Sequence, residues 1–457
     1  MEDLTPTPLV KTPQGATRSD PIMEEFRRRT PGSLAEWRAA SLVLPLGVSS
    51  NFRYSEPYPL ALARGAGCHL WDVDGNEYID YNLAQGVMIM GYGHPEIVRA
   101  VSEATAGGSI YCLPCPEERR LAGLLIDRFP IDLVRFTNTG SESVMYAVRL
   151  ARAFTKRSRI VRFEGAYHGS HDAVLASYRP RMEHAGPIEA PLPDSPSEGL
   201  IPGACDGTLI ATYNDIDSVR RHFRENGGAI AAVVIEPIGL NYGVCAPVDG
   251  FIEEIRRLCD EHDALLIFDE VKTGVKVAFG GACELLGIRP DIVCLAKSIG
   301  GGLPLGAFGA RREIMNLISN EEVLHSGTFN GNPVSVAAGI ATLKTILTRE
   351  TYAQLDAVSI RLAQGFEEVI ERRGLRAHIS RVGPHGTLWF GPAPIRNYRD
   401  FLRCDYDLWL RFYYAMSNRG VLFGPPGQDD QWTISVAHTE REIEATIRAF
   451  DEVAPSL

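Results

Sequence analysis

ALLIFDEVKTG (264–274) and DIVCLAKSIGGG (291–302) decide how the chain folds. Each opens on a short run of large apolar residues with no polar alternation. Runs that are apolar on both faces are what strands look like when helices cover both sides of a parallel sheet. IVRF (160–163) and AAVVIEP (231–237) have the same character. Gly250–His262 lies between two of these runs and reads as a helix, as do Glu117–Arg128 and Ser141–Phe154. Strand and helix in alternation is the pattern of a doubly wound sheet. The expected class is α/β, with a mostly parallel central sheet.

Four units are expected along the 457 residues. Residues 1–32, rich in Pro, Thr and charge, read as a loosely held extension. Residues 33–90 form a segment that serves a small domain and the active site. They include a helix at Leu34–Ala40 and a hairpin at Asp74-Gly75, between two strand-like runs. Residues 91–335 form the large domain. Residues 336–457, with long helical patterns and a few strands, form a small α+β domain with the N-terminal segment. RPRMEHAGPIEAPLPDSPSEGLIPGACDG (180–208) reads as a long surface loop, either a lid or a plain linker.

Composition narrows the function classes. Apolar residues make up 45% of the chain, ample for a core and too many for a disordered protein. Fifty-seven acidic side chains against 46 basic ones leave a net charge of −11. That argues against nucleic acid as the main partner. No apolar run reaches membrane-spanning length, so a membrane partner is not expected. The nine cysteines are scattered, and the one close pair, Cys112-Leu-Pro-Cys115, lacks a redox or zinc context. Reduced thiols and a cytoplasmic location are expected.

Polar residues cluster where the apolar runs end, which is where open α/β sheets bind ligands. Asp269 and Glu270 close one run, and Lys297 closes another just before SIGGG. A lysine there serves either as a Schiff-base amine or as a strand-end lysine that reaches water. Asn138-Thr139-Gly140-Ser141-Glu142 opens a helix and suits either an anion site or a simple N-cap. Tyr167, in GAYHG, could stack on a planar ring. His168 and His171 lack a third ligand nearby, which leaves a metal reading weak. Gly327-Thr328-Phe329-Asn330 is a second candidate phosphate turn.

Six motifs in order give the chain a family resemblance: FTNTGSES (136–143), FEGAYHGS (163–170), VVIEP (233–237), LLIFDEVKTG (265–274), CLAKSIGGGLPLGAFG (294–309) and HSGTFNGNP (325–333). From about Leu44 to the C-terminus the chain resembles the class III (ω-type) aminotransferases. These are fold type I enzymes that use pyridoxal 5′-phosphate. DVDGNEYIDY (72–81), RRLCDEHDALLIFDEV (256–271) and SVAHT (435–439) are similar to the glutamate-1-semialdehyde 2,1-aminomutase-like subgroup. The resemblance implies that Lys297 forms the Schiff base and shuttles the proton, while Asp269 pairs with the ring nitrogen. It places Val271 and Tyr167 on the two ring faces and Asn241 at the ring hydroxyl. Gly140 and Ser141 take the phosphate, and Thr328 reaches the phosphate of a second subunit, which implies a homodimer.

On the substrate side the resemblance implies that Arg53 holds a carboxylate. Other positions there depart from the subgroup. Ala84-Gln85-Gly86-Val87 stands where the aminomutases show a Ser-Trp-Gly-Pro-like turn. Gln85 thus puts an amide in place of a large apolar wall. Asp430 is the nearest match to the acidic residue of the subgroup's FEAGF segment. Leu113-Pro114-Cys115-Pro116 replaces its Ala-Pro-Thr-Glu stretch. These departures favour amino transfer between a carboxylate-bearing amine and a keto acid or aldehyde. The alternative is the intramolecular aminomutase reaction. A racemase comes after these, and last a silent binding protein on the same fold.

Overall fold

The computed structural model describes residues 20–195, 197–424 and 431–457. Strands β1 (Leu62–Ala66), β2 (His69–Asp72) and β3 (Glu77–Asp80) come first. The hairpin expected at Asp74-Gly75 joins β2 to β3, with Trp71 opposite Glu77. Asp72 Oδ1 accepts from the amides of Asp74 and Asn76, at 3.0 and 2.8 Å, and Gly75 takes the φ of +85° that the turn needs.

The central sheet holds β4 (Leu133–Thr137), β5 (Arg159–Phe163), β6 (Thr208–Ala211), β7 (Ile230–Ile235), β8 (Leu265–Asp269), β9 (Ile292–Leu295) and β10 (Gly306–Ala310). Its order is β4-β10-β9-β8-β7-β5-β6. Strands β5 to β9 pair in parallel, and β10 runs antiparallel to both of its neighbours. Every residue of β7, β8 and β9 is buried, as their continuous apolar runs require. Strand β10 was not read from sequence: GAFGA has few large side chains, and its glycines are there for close approach. A Cβ on Gly309 would sit 2.6 Å from Ile131 Cδ1.

The C-terminal part adds β11 (Ala377–Val382), β12 (His385–Phe390), β13 (Val421–Leu422) and β14 (Trp432–Thr433). β11, β12 and β14 form a three-stranded sheet, while β13 pairs in parallel with β3. One sheet therefore combines strands from both ends of the chain. No helix among the described residues is long and apolar enough to cross a membrane.

The loose extension expected over residues 1–32 gives way, from Asp20 on, to helical structure. Asp20 caps the helix Pro21–Arg29 by accepting from Ile22 N at 3.0 Å. Met23 and Phe26 are buried, and the Phe26 ring lies 5.0 Å from that of Tyr414. Proline at the first helical position and apolar residues three apart are the signals that composition hid. Residues 1–19 lie outside the described part.

Candidate active site

The C-terminal ends of the central strands open onto a cavity of about 330 Å³. Asn138, Gly140 and Ser141, Tyr167 to Gly169, Glu236, Asn241, Asp269, Val271, Lys272, Lys297 and the Gly302–Leu305 segment line it. Seven residues expected from sequence therefore share one cavity: Gly140, Ser141, Tyr167, Asn241, Asp269, Val271 and Lys297.

Gly140 and Ser141 hold the first two positions of the helix Gly140–Thr155. Both readings of this segment are realised, in different residues. Thr139 is the N-cap: its hydroxyl accepts from Glu142 N at 3.1 Å, and the Glu142 carboxylate takes the amides of Asn138 and Thr139 at 2.8 and 2.9 Å. That leaves the amides at the next two positions, which lack intrahelical acceptors, at the cavity wall. Gly169 packs tightly here, since a Cβ on it would come within 2.7 Å of Ser141 Oγ.

Asp269 ends β8 with both oxygens engaged. Oδ1 accepts from Val271 N at 3.0 Å, and Oδ2 from His168 Nδ1 at 2.8 Å. Both side chains are buried. An ionised carboxylate only accepts, so the proton of this contact sits on Nδ1. His168 is thus the partner of Asp269 rather than a metal ligand. Glu236, one residue past β7, accepts from Tyr167 N at 2.8 Å and from Asn241 Nδ2 at 2.7 Å. Burial, and then the charge of Asp269, raise its carboxyl above the usual range. Lys297 follows β9 with a φ of +53°, a costly conformation for a lysine that persists where the surroundings enforce it. The next residue, Ser298, donates its hydroxyl to Gly86 O at 2.8 Å and ties the lysine turn to the Leu83–Gly86 segment.

Residues 52–448 match the family model for class-III aminotransferases. The glutamate-1-semialdehyde 2,1-aminomutase of Methanopyrus kandleri is 40% identical over 429 residues, which is 93% of this chain and 98% of that protein. The chain belongs to the class-III aminotransferase family. A solved ω-transaminase from Sphaerobacter thermophilus superposes with a TM-score of 0.89 at 31% identity, covering 94% of this chain and 99% of its own. A solved transaminase with pyridoxal phosphate bound gives a TM-score of 0.85 at 30% identity, over 93% and 98% of the two chains. This class-III enzyme has fold type I and uses pyridoxal 5′-phosphate. The aminomutase relatives back the alternative drawn from sequence better than intermolecular transfer.

The cavity fits that cofactor. Its wall carries the helix N-terminal amides of Gly140 and Ser141 for a phosphate, a buried carboxylate–imidazole pair for a ring nitrogen, and Lys297. Glu236 Oε2 is buried without a hydrogen-bond partner in this wall.

The structure does not bring Arg53, Gln85 or Thr328 to the cavity of their own chain. Arg53 is exposed, donates to Ser49 Oγ at 2.9 Å and lies over the Phe52 ring. Gln85 sits in a left-handed turn, Leu83 to Gly86, with φ between +46° and +73° throughout. Thr328 is exposed, although its neighbour Asn330 accepts from Asn138 Nδ2 at 2.9 Å. Asp430 lies outside the described residues. Glu270, which sequence grouped with Asp269, is an internal anchor instead: it accepts from the amides of Ala282 and Cys283 at 2.9 and 2.7 Å. Sequence reading missed Glu236, His168 as a partner of Asp269, and Lys272. The signal for Lys272 was a charged residue directly after the buried run LLIFDEV.

Proposed function

We propose that this enzyme moves an amino group within a small carboxylate-bearing amino aldehyde of the glutamate 1-semialdehyde kind. The observation that carries amino transfer is the convergence of Lys297, the Asp269–His168 pair and the Gly140–Ser141 turn on one cavity wall. The likeness to the Methanopyrus kandleri aminomutase across nearly the whole chain supports the intramolecular form.

Bound pyridoxal phosphate supplies an electron sink for the bond broken at the substrate carbon. Gly140 and Ser141 would hold its phosphate, and Val271 and Tyr167 its two faces. Asn241, fixed by Glu236, would meet the ring hydroxyl. Asp269, held by His168, would keep a proton on the ring nitrogen. Lys297 Nζ would bind the cofactor covalently and then carry the proton between substrate and cofactor carbons.

A second reading, intermolecular transfer to a keto acid or aldehyde, is favoured by the Ala84-Gln85 turn, where an amide stands in place of the aminomutases' apolar wall. The test is turnover of glutamate 1-semialdehyde by holoenzyme with no second substrate. Product without any keto acid supports the mutase. Turnover only when a donor and a keto acid are both present gives the second reading.

The active form we propose is a homodimer. Thr328, outside its own cavity, would then complete the phosphate site of a second copy. The exposure of Leu113, Leu324 and Phe329, at 75%, 76% and 60%, supports an apolar contact there.

A further inference from the structure

We infer that Tyr178 is a positioning residue for the cofactor that acts through Tyr167, and that the turn Ser177–Arg179, clasped by Asp194, holds it in place. This rests on the reading that Tyr167 covers one face of the cofactor ring.

The need arises at Tyr167 itself. Its main chain is fixed from two sides: Glu236 Oε1 accepts from its amide at 2.8 Å, and Arg162 holds the carbonyl of Ala166 just before it. Its side chain is less constrained. The residue is half-buried, and its hydroxyl meets the hydroxyl of the exposed Ser170 at 3.1 Å. A ring that has to be ordered before it can stack loses part of the contact energy to that ordering. Tyr178 supplies the order in advance. Its ring centroid lies 4.6 Å from that of Tyr167, with the planes at 57°. Aromatic rings at this separation and tilt attract each other beyond the area they bury. Tyr167 lines the cavity and Tyr178 does not. Tyr178 therefore backs the stacking ring without touching what the cavity holds.

The backbone around Tyr178 is the second observation. Ser177 and Arg179 have φ of +57° and +53°. Two left-handed residues, neither of them glycine, on either side of a third are costly, and they persist where the surroundings enforce them. Gly165 N donates to Ser177 O at 2.8 Å, which ties this turn to the one that leads into Tyr167. Ser177 N donates to Asp194 O at 2.5 Å, and Asp194 N donates to Ser177 Oγ at 3.3 Å. The buried Asp194 carboxylate then accepts from Arg181 N at 2.8 Å and from Arg181 Nη2 at 2.6 Å. The Arg179 guanidinium lies 5.5 Å from the centroid of the Tyr178 ring, within cation–π reach. The strained turn thus sits inside a closed clasp, and what the clasp presents to Tyr167 is one aromatic ring. The head of the 180–208 segment serves as a mount for that ring, rather than as a lid or a linker.

The test reads how the enzyme holds its cofactor, independently of turnover. The holoenzyme is brought to its pyridoxamine 5′-phosphate form, which Lys297 does not bind covalently. Cofactor Kd is measured by equilibrium dialysis, with the induced circular dichroism of the cofactor band alongside. Tyr178→Leu should raise Kd by roughly 2- to 13-fold, the size of one aromatic pair, and should lower the dichroism per bound cofactor. Tyr178→Phe keeps the ring and should stay within about twofold of wild type. Tyr167→Leu should lose at least as much as Tyr178→Leu. Adding Tyr178→Leu to it should cost nothing further, because residues that act through one another are not additive. Should Tyr178→Leu not fold, Asp194→Asn weakens the clasp from outside the ring contact and should move both readings the same way. Unchanged Kd and dichroism in whichever variant folds overturns the inference. So does a loss in Tyr178→Phe as large as in Tyr178→Leu, or a full additional loss in the double variant. An unchanged Kd in Tyr167→Leu would overturn the reading of Tyr167 as well. A loss in Tyr167→Leu beside a silent Tyr178→Leu overturns the inference alone.

Discussion

At the Asp269 end of the cavity, each polar group arises within five residues of a strand of the central sheet: Gly140 after β4, His168 after β5, Glu236 after β7, Asp269 on β8, Lys297 after β9. Around Lys272 and Lys276, the neighbours come from elsewhere: Gly86 from a left-handed turn, His385 from β12, Thr433 from β14 and Gln431 from the residue before it. The first end takes its precision from one rigid sheet. The second depends on how separate sheets meet. Substitutions there are expected to change what the pocket accepts without moving the groups carried by the central sheet.

The comparison breaks most sharply at Lys297. Lys297→Ala should lose at least about 10³-fold in kcat, as removing a positioned proton carrier and nucleophile implies. It should also lose the borohydride-reducible link to cofactor, read by mass spectrometry. Cofactor found on another lysine would move the site. Asp269→Asn should come next, with a fall of about 10²–10³-fold in kcat, because it removes a preorganised charge. Its melting temperature should change little beside that. If stability falls and kcat does not, the sheet end is structural rather than electrostatic.

The Lys272 end should show itself in acid. His385 has a pKa depressed by burial and by two lysines. Its unfolded form binds a proton near its ordinary value while the folded form does not, so the unfolded state holds more protons as pH falls. The stability it contributes is therefore full above about pH 6.5 and is lost on acidification. His385→Gln should flatten the fall of melting temperature between pH 7 and 5. Other histidines, the buried His438 and the half-buried His171 and His325, are depressed as well, so the slope should shrink rather than vanish. A steeper slope in the variant would reverse the sign. The smallest effect is expected of Arg53→Ala. An exposed side chain of this kind changes free energies by about 0.5 kcal/mol or less, so kcat/KM for carboxylates should move by no more than about twofold. A loss of tenfold or more would restore Arg53 as the anchor.

What was legible in the sequence follows the same division. β5, β7, β8 and β9 could be read because strands buried on both faces are continuous apolar runs, and the residues ending them were quoted within those motifs. β10 could not, because GAFGA owes its place to close packing rather than to bulk. The His168–Asp269 contact spans 101 positions and has no local signature. Lys272 is a plain residue within a recognisable motif. Its neighbours Leu240 and His385 are brought near it only in the folded chain. Arg53 was singled out by alignment with relatives, which cannot report that this side chain turns to Ser49.

Arg162 lies fully buried on β5 and donates to the carbonyls of Val174, Ala176 and Ala166, and to Phe163 O at 3.4 Å. One guanidinium thus staples the segment that carries Tyr167 and His168, using contacts that involve no cofactor atom. Burial lowers its pKa to about 10, still well above neutrality, so the staple stays charged. The consequence is an expectation about kinetics: protein stripped of cofactor should keep this wall assembled. Reloading followed by cofactor absorbance is therefore expected to show no slow refolding phase.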